Sequence, residues 1–158
     1  LGKITDNSQR MMEAMDDIVW SIKPSNDNMQ KIAARMREFA TSVLEAKEID
    51  LDFTADENVY DVKLNMEVRR DFFLVFKEAL NNAAKYSKAT LVSVHVSIQN
   101  KKLVLLVKDN GIGYDVAAAD SGNGLGNMRK RADSMNGILQ VESIPGKGSQ
   151  VKLSVPFS

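Results

Sequence analysis

The chain has 158 residues, 44% of them hydrophobic and 27% charged, with 21 basic side chains balancing 21 acidic ones. That is enough for one domain with a real core plus a short appendage, and zero net charge offers no global basic field to recruit nucleic acid. Cysteine is absent and His95 is the single histidine, which excludes disulfides, permits a reducing compartment, and makes zinc sites and Ser-His-Asp hydrolysis poor readings.

No apolar run approaches the length of a membrane span and no signal peptide opens the chain, so no membrane contact is expected of it. It begins at Leu1 without a methionine and reads as a piece of something longer. Met11, Met15, Ile18 and Ile22 recur at four, three and four residues. Such a narrow seam predicts a helix that wants a partner helix. Pro24 ends it, and Ser25, Asn26 and Asp27 are N-cap candidates for the next. The sequence therefore divides into a helical appendage over 1–24 and a domain over 25–158. Met29, Ile32, Ala33, Met36, Phe39, Ala40 and Val43 form a broader stripe, that of a helix lying on a sheet.

Ile49, Leu51 and Phe53 alternate as a strand, and a second is expected from Val59 to Leu64. Asn65 is placed to cap a long helix with Val68, Phe72, Val75, Phe76, Ala79 and Ala83 inward. Val92, Val94, Val96 and Ile98 alternate, Gln99-Asn100 turns, and Leu103 to Val107 is a continuous apolar run fit for a central strand. The stretch from Gly111 to Gly126 has little to bury and predicts a loop. Leu125 to Met135 reads as a helix stopped by Asn136-Gly137. A closing hairpin follows, Ile138 to Ser143 and Gln150 to Val155 around Pro145-Gly146-Lys147-Gly148. The expected fold is α/β, a two-layer sandwich with helices on one face of a mixed, mostly antiparallel sheet.

Three motifs carry chemistry. In Glu78-Ala79-Leu80-Asn81-Asn82-Ala83-Ala84-Lys85-Tyr86, Glu78, Asn82 and Lys85 stand at i, i+4 and i+7 and share the face opposite the apolar stripe. An Asn oxygen suits Mg²⁺, Lys85 can follow phosphate oxygens, and Tyr86 offers a flat face to a purine. An ordinary solvated helix face explains the same residues about equally well. In Asp109-Asn110-Gly111-Ile112-Gly113, a carboxylate ends what should be a buried strand, and Gly111 and Gly113 allow a ligand close to the backbone. A simple Asn-Gly turn is the competing reading. An acceptor-only carboxylate takes the adenine amino group and opposes the guanine oxygen. In Gly122-Asn123-Gly124-Leu125-Gly126, the glycines open a helix whose free amides can hold phosphate. Arg129, Lys130 and Arg131 add positive charge beyond them that could reach phosphate, but on a short helix such residues are more often solvated surface. Ser149 is a turn hydroxyl or a contact to Asp109 and the base.

The order of these motifs resembles the N, G1 and G2 boxes of the GHKL ATPases, and among them the catalytic domain of a bacterial sensor histidine kinase. The similarity runs from about Ser25 to Phe157. Its most specific stretches are Asn82-Ala83-Ala84-Lys85-Tyr86 and Gly124 to Ala132. The resemblance implies a Bergerat-type fold and an ATP site in which Asn82 coordinates Mg²⁺, Lys85 touches phosphate, Tyr86 flanks the purine and Asp109 binds the adenine amino group. Gly111, Gly113, Gly122, Gly124, Leu125, Gly126 and Ser149 complete it, and the loop from about Tyr114 to Asn127 is an ATP lid.

The short lid and the sequence Met15 to Pro24 look closest to the branch with LytS- or NarL-type partners, Met15 to Pro24 ending a dimerisation helix. Partners implied are a response regulator and a second copy paired through the dimerisation helices. The placement implied is cytoplasmic for this stretch, within a membrane-anchored whole. Glu78 is the candidate catalytic residue, as base, metal-water contact or electrostatic support, with support ranked first. His95, on a strand face with no acidic neighbour expected, is a poor phosphoacceptor, so Mg-ATP binding without autophosphorylation is expected of this chain alone. A serine kinase of the anti-sigma type and a degenerate binding module without transfer are the alternatives.

Overall fold

The computed structural model describes residues 28–113 and 123–157, apart from the side chains of Tyr86 and Asn123. The Met11–Ile22 seam, the boundary near Pro24, and most of the expected lid lie outside the described residues. The first described helix, α1 (Met29–Ala46), starts one residue later than the expected caps. Asn28 is the N-cap, its side chain accepting from Lys31 N at 3.0 Å, and this satisfies one orphan amide of the first turn. Strand β1 (Asp50–Ala55) follows.

The segment from Val59 to Leu64 is not a strand. Residues Glu57–Asp61 form a 3-10 turn, and only Lys63 makes a bridge, to Asn28. Val59, Val62 and Leu64 are all buried. Their three-then-two spacing is met by a tight turn followed by extended chain, which a regular strand cannot do. Helix α2 (Met66–Tyr86) is capped as expected by Asn65, which accepts from Val68 N at 2.9 Å.

Strands β2 (Leu91–Gln99) and β3 (Lys102–Asp109) form a hairpin around Asn100 and Lys101, both at positive φ. Helix α3 (Asn123–Ser134), β4 (Ile138–Ser143) and β5 (Ser149–Pro156) complete the described chain. Helix α3 ends as expected at Asn136-Gly137, and it is Asn136, not the glycine, that takes the left-handed conformation. Gly137 N donates to Ala132 O at 2.8 Å and Asn136 N to Asp133 O at 3.0 Å, the paired bonds of a Schellman motif.

The sheet order is β1-β2-β3-β5-β4, parallel between β1 and β2 and antiparallel elsewhere. Because side chains alternate across a strand, Leu103, Leu105, Val107 and Asp109 share the helix-facing side of the central strand. The first three meet the core and the fourth ends the row. Phe72, Phe76, Ala79 and Ala83 of α2 are buried as the stripe predicts. Phe73 and Leu80 are buried too, because α1 and α3 cover the flanks of α2. Phe39, Phe73 and Phe76 pack with ring centroids 6.0–6.3 Å apart, a spacing in the favourable range for edge and tilted aromatic contacts.

Truncating a ring at the middle of this layer leaves a cavity that the packed sheet cannot fill. Phe76→Ala should therefore lower the unfolding free energy by about 3–5 kcal/mol, and Asn65→Ala by about 1 kcal/mol through the lost cap. Urea titrations of the two variants against the parent chain check both.

Candidate functional site

Helix α2 cannot rotate without withdrawing its phenylalanines, and this fixes where its polar face points. Glu78 and Asn82 are half-buried and Lys85 is exposed, all on that face. Helix α3 runs across it. A Cβ built on Gly124 would lie 2.4 Å from Glu78 Oε1 and 3.7 Å from Asn82 Nδ2, so the first turn of α3 sits directly against both side chains. Leu125 and Met128 are buried and anchor that turn to the core. A helix start, with its free amides, thus stands beside Glu78 and Asn82. Nothing lies within 4 Å of a Cβ at Gly126.

Asp109 is 5% exposed. A carboxylate so buried has to be hydrogen-bonded. One oxygen accepts from Gly111 N at 2.9 Å. The other accepts from the Ser149 hydroxyl, its register partner across β3 and β5. Of the readings of Ser149, the contact to Asp109 is present: its hydroxyl orients that carboxylate. Both donors orient the carboxylate and leave remaining lone pairs for a further donor.

The glycines after Asp109 have a reason inside the fold. A Cβ on Gly111 would lie 2.0 Å from Ser87 O, and one on Gly113, at φ +69°, would lie 2.2 Å from Ile144 O. The loop is pressed between the end of α2 and the β4–β5 turn, with Ile112 N donating to Ser87 O at 2.7 Å. Gly148, at φ +85°, is pressed in the same way against Asp109 O. This close packing of backbone on backbone is a different use of the glycines from the ligand approach expected from sequence.

Two residues that sequence reasoning passed over hold the loop. The Asn110 side chain accepts from Thr90 N at 2.9 Å and Leu91 N at 3.0 Å and donates to Thr90 Oγ1 at 2.8 Å. It is a staple between β3 and the start of β2 rather than a free turn residue. Ser87 accepts from Ala89 N at 3.1 Å and donates its hydroxyl to Ala83 O. The signal for Ser87 was present: a serine just after a helix is a common local cap.

Two sequence expectations are corrected. Arg131 is not simply solvated surface, the commoner reading for such a residue: its Nη1 donates to the buried Asp71 Oδ1 at 3.1 Å. His95 does have an acidic neighbour: its Nε2 is 2.8 Å from Asp56 Oδ1. The parallel pairing of β1 with β2 brings the end of β1 alongside His95, a contact across 39 residues that local sequence does not reveal. His95 still lies on the sheet face opposite Val94 and Val96, whereas Asp109 is on the helix side. The Gly122 expectation falls outside the described residues, as does the Tyr86 side chain. A groove of about 960 Å³ lies elsewhere, between α1 and the β1 edge, lined by Arg37, Phe53 and Tyr60. It contains none of these groups, so chemistry rather than volume locates the site.

With this geometry in place, the likeness to known proteins is specific. Residues 67–158 match the family described as histidine kinase-, DNA gyrase B- and HSP90-like ATPase, and the chain belongs to that family. Among curated relatives, it is 31% identical to the sensor histidine kinase LiaS of Bacillus subtilis over 123 residues, 77% of this chain and 34% of that protein. It is 26% identical to the oxygen sensor histidine kinase NreB of Staphylococcus carnosus over 165 residues, 99% of this chain and 47% of that protein. The chain thus spans between a third and a half of these relatives. The blue-light activated histidine kinase of Erythrobacter litoralis EL346 shares the fold, with a TM-score of 0.77 at 21% identity over 99% of this chain and 50% of that one. Among the described residues no helix is long and apolar enough to cross a membrane.

The two kinds of glycine separate by substitution. Gly111→Ala should cost about 2 kcal/mol or more, since the obstacle is backbone. Gly126→Ala should gain about 0.5–1 kcal/mol, because a helical alanine replaces glycine in open space. Thermal melts of the two variants side by side decide it.

Proposed function

We propose that this chain is the ATP-binding catalytic domain of a two-component sensor histidine kinase. The observation that carries the reading is Asp109, a buried carboxylate oriented by Ser149 and Gly111 at the end of the central strand. It lies on the same side of the sheet as the helix start that meets Glu78 and Asn82. An oriented acceptor selects the amino group of adenine over the oxo group of guanine. Donor amides of α3 then suit the phosphates of the same molecule. Lys85, exposed on the same helix face, adds a cation, and Tyr86, Gly111, Gly113, Gly122, Leu125 and Gly126 are the further residues that the family resemblance assigns to the nucleotide.

Among the described residues no cluster of three or more His, Cys, Asp or Glu side chains could hold a metal. That donor set fits Mg²⁺ only in the form the cation takes with nucleotides, held by one or two protein oxygens and the phosphates. Asn82 is the proposed protein ligand. The cation would neutralise charge on the transferring group; the protein's share is to position the nucleotide and exclude water. Glu78, against the first turn of α3, orients and balances charge there, and is the candidate catalytic carboxylate.

The γ-phosphoryl group would pass to a histidine outside this chain and then to a response regulator aspartate. His95 is unsuited as the acceptor because the sheet stands between it and Asp109. The whole protein would pair as a dimer through helices of which residues 1–24 form a part, with residues 25–158 on the cytoplasmic side as the nucleotide-binding unit.

Calorimetry with ATP and GTP, each with and without Mg²⁺, tests the reading. ATP should bind in preference to GTP. Asp109→Asn should weaken ATP binding by about 1–3 kcal/mol, the cost of mismatching a buried polar group, and Asn82→Ala should remove the Mg²⁺ dependence. A folded chain that binds neither nucleotide would sink the kinase reading and leave a degenerate interaction module in its place.

A further inference from the structure

The polar face of α2 continues two turns before Glu78, to Asp71, and there it is covered. Asp71 is 4% exposed, and its Oδ1 accepts from Arg131 Nη1 of α3 at 3.1 Å and from Arg70 Nε at 3.4 Å. A carboxylate this buried needs its partners, and losing one leaves charge stranded in the protein. The pair stands at a particular place. Asp71 and Glu78 lie seven residues apart on α2, as Gly124 and Arg131 do on α3. Asp71 meets Arg131, and Glu78 meets Gly124. The helices therefore run antiparallel, with two contacts separated on each by about 10 Å of helix.

The apolar residues between them, Leu125, Met128 and Ala132, fix how far α3 stands from the core. Contacts of that kind are non-directional and tolerate a slide along the axis. A hydrogen-bonded ion pair is directional and does not. We infer that Asp71 and Arg131 are positioning residues for nucleotide binding: their ion pair sets the axial register at which the first turn of α3 meets Glu78 and Asn82, and so governs recognition of the phosphates but not of the base. The inference rests on the proposed ATP site. It assigns a role to two residues that pair with each other rather than with Glu78, Asn82 or Asp109.

The test separates phosphate recognition from base recognition in the full 158-residue chain. Mg-ATP and adenosine are each titrated, by competition against a fluorescent adenine nucleotide, into the parent, Arg131→Gln, Arg131→Lys, Asp71→Asn and Asp109→Asn. Arg131→Gln should weaken Mg-ATP about tenfold while adenosine stays within about twofold, so the preference for ATP over adenosine collapses. Arg131→Lys should restore part of it, and Asp109→Asn should weaken both ligands together. Arg131 is 40% exposed at its side chain, so its substitution reads the pair even if Asp71→Asn, at the buried end, fails to fold. An Arg131→Gln chain that melts early yet keeps the parent's preference for ATP would overturn the inference and leave the pair a stability element. A folded parent that binds no Mg-ATP would overturn the proposed function itself, an outcome distinct from the last.

Discussion

The rotation of α2 is the constraint on which the site depends. Phe72, Phe76, Ala79 and Ala83 must face the sheet, since each large ring brings a burial free energy of about 2–3 kcal/mol that no alternative orientation recovers. With that face fixed, Glu78 and Asn82 have one direction left, toward α3. Hydrophobic packing, which has no chemical specificity of its own, thereby aims the specific groups. The same layer places Asp109: it occupies the helix-facing position after Leu103, Leu105 and Val107, where the core ends and a polar group becomes tolerable if its oxygens are satisfied.

The loop after Asp109 shows a second economy. Gly111, Gly113 and Gly148 bring three stretches of backbone closer than any Cβ permits, and Ser87 and Asn110 tie those stretches together through amides and carbonyls. The carboxylate is thus held in one orientation by the fold itself. A preorganised acceptor loses little freedom when a ligand arrives, and the cost of ordering it falls on folding instead. Among the described residues no buried side-chain nitrogen or oxygen lacks a partner, so the polar content of this corner is stabilising rather than a burden.

Much of this was legible in the sequence because it is local. The stripe of α2, its Asn65 cap, the alternation in β2 and the stop at Asn136-Gly137 depend on residues within a turn or two of each other, and they stand as read. Asp109 could be picked out as a carboxylate ending an apolar strand, Glu78 and Asn82 by their shared helix face opposite the apolar stripe, and Gly124 by its glycine-rich helix start. Contacts across long stretches of chain were not legible. The bond of His95 to Asp56 requires the parallel pairing of β1 and β2. That of Arg131 to Asp71 requires the crossing of two helices sixty residues apart. The segment Val59 to Leu64 differs for another reason: so short an apolar run does not by itself separate strand from turn, and only the joint burial of Val59, Val62 and Leu64 identifies the 3-10 turn.

The mixed sheet also orders events in time. The β2–β3 hairpin joins neighbours through the two residues Asn100 and Lys101, a closure that is fast because little chain must be restrained. Strand β1 pairs in parallel with β2 only after the 3-10 turn and the whole of α2 have folded back between them, and such non-local pairing is slow. Strand β5, which brings Ser149 to Asp109 across 40 residues, makes another such non-local pairing, so the orientation of the carboxylate belongs to the finished sheet and to no local segment of the chain.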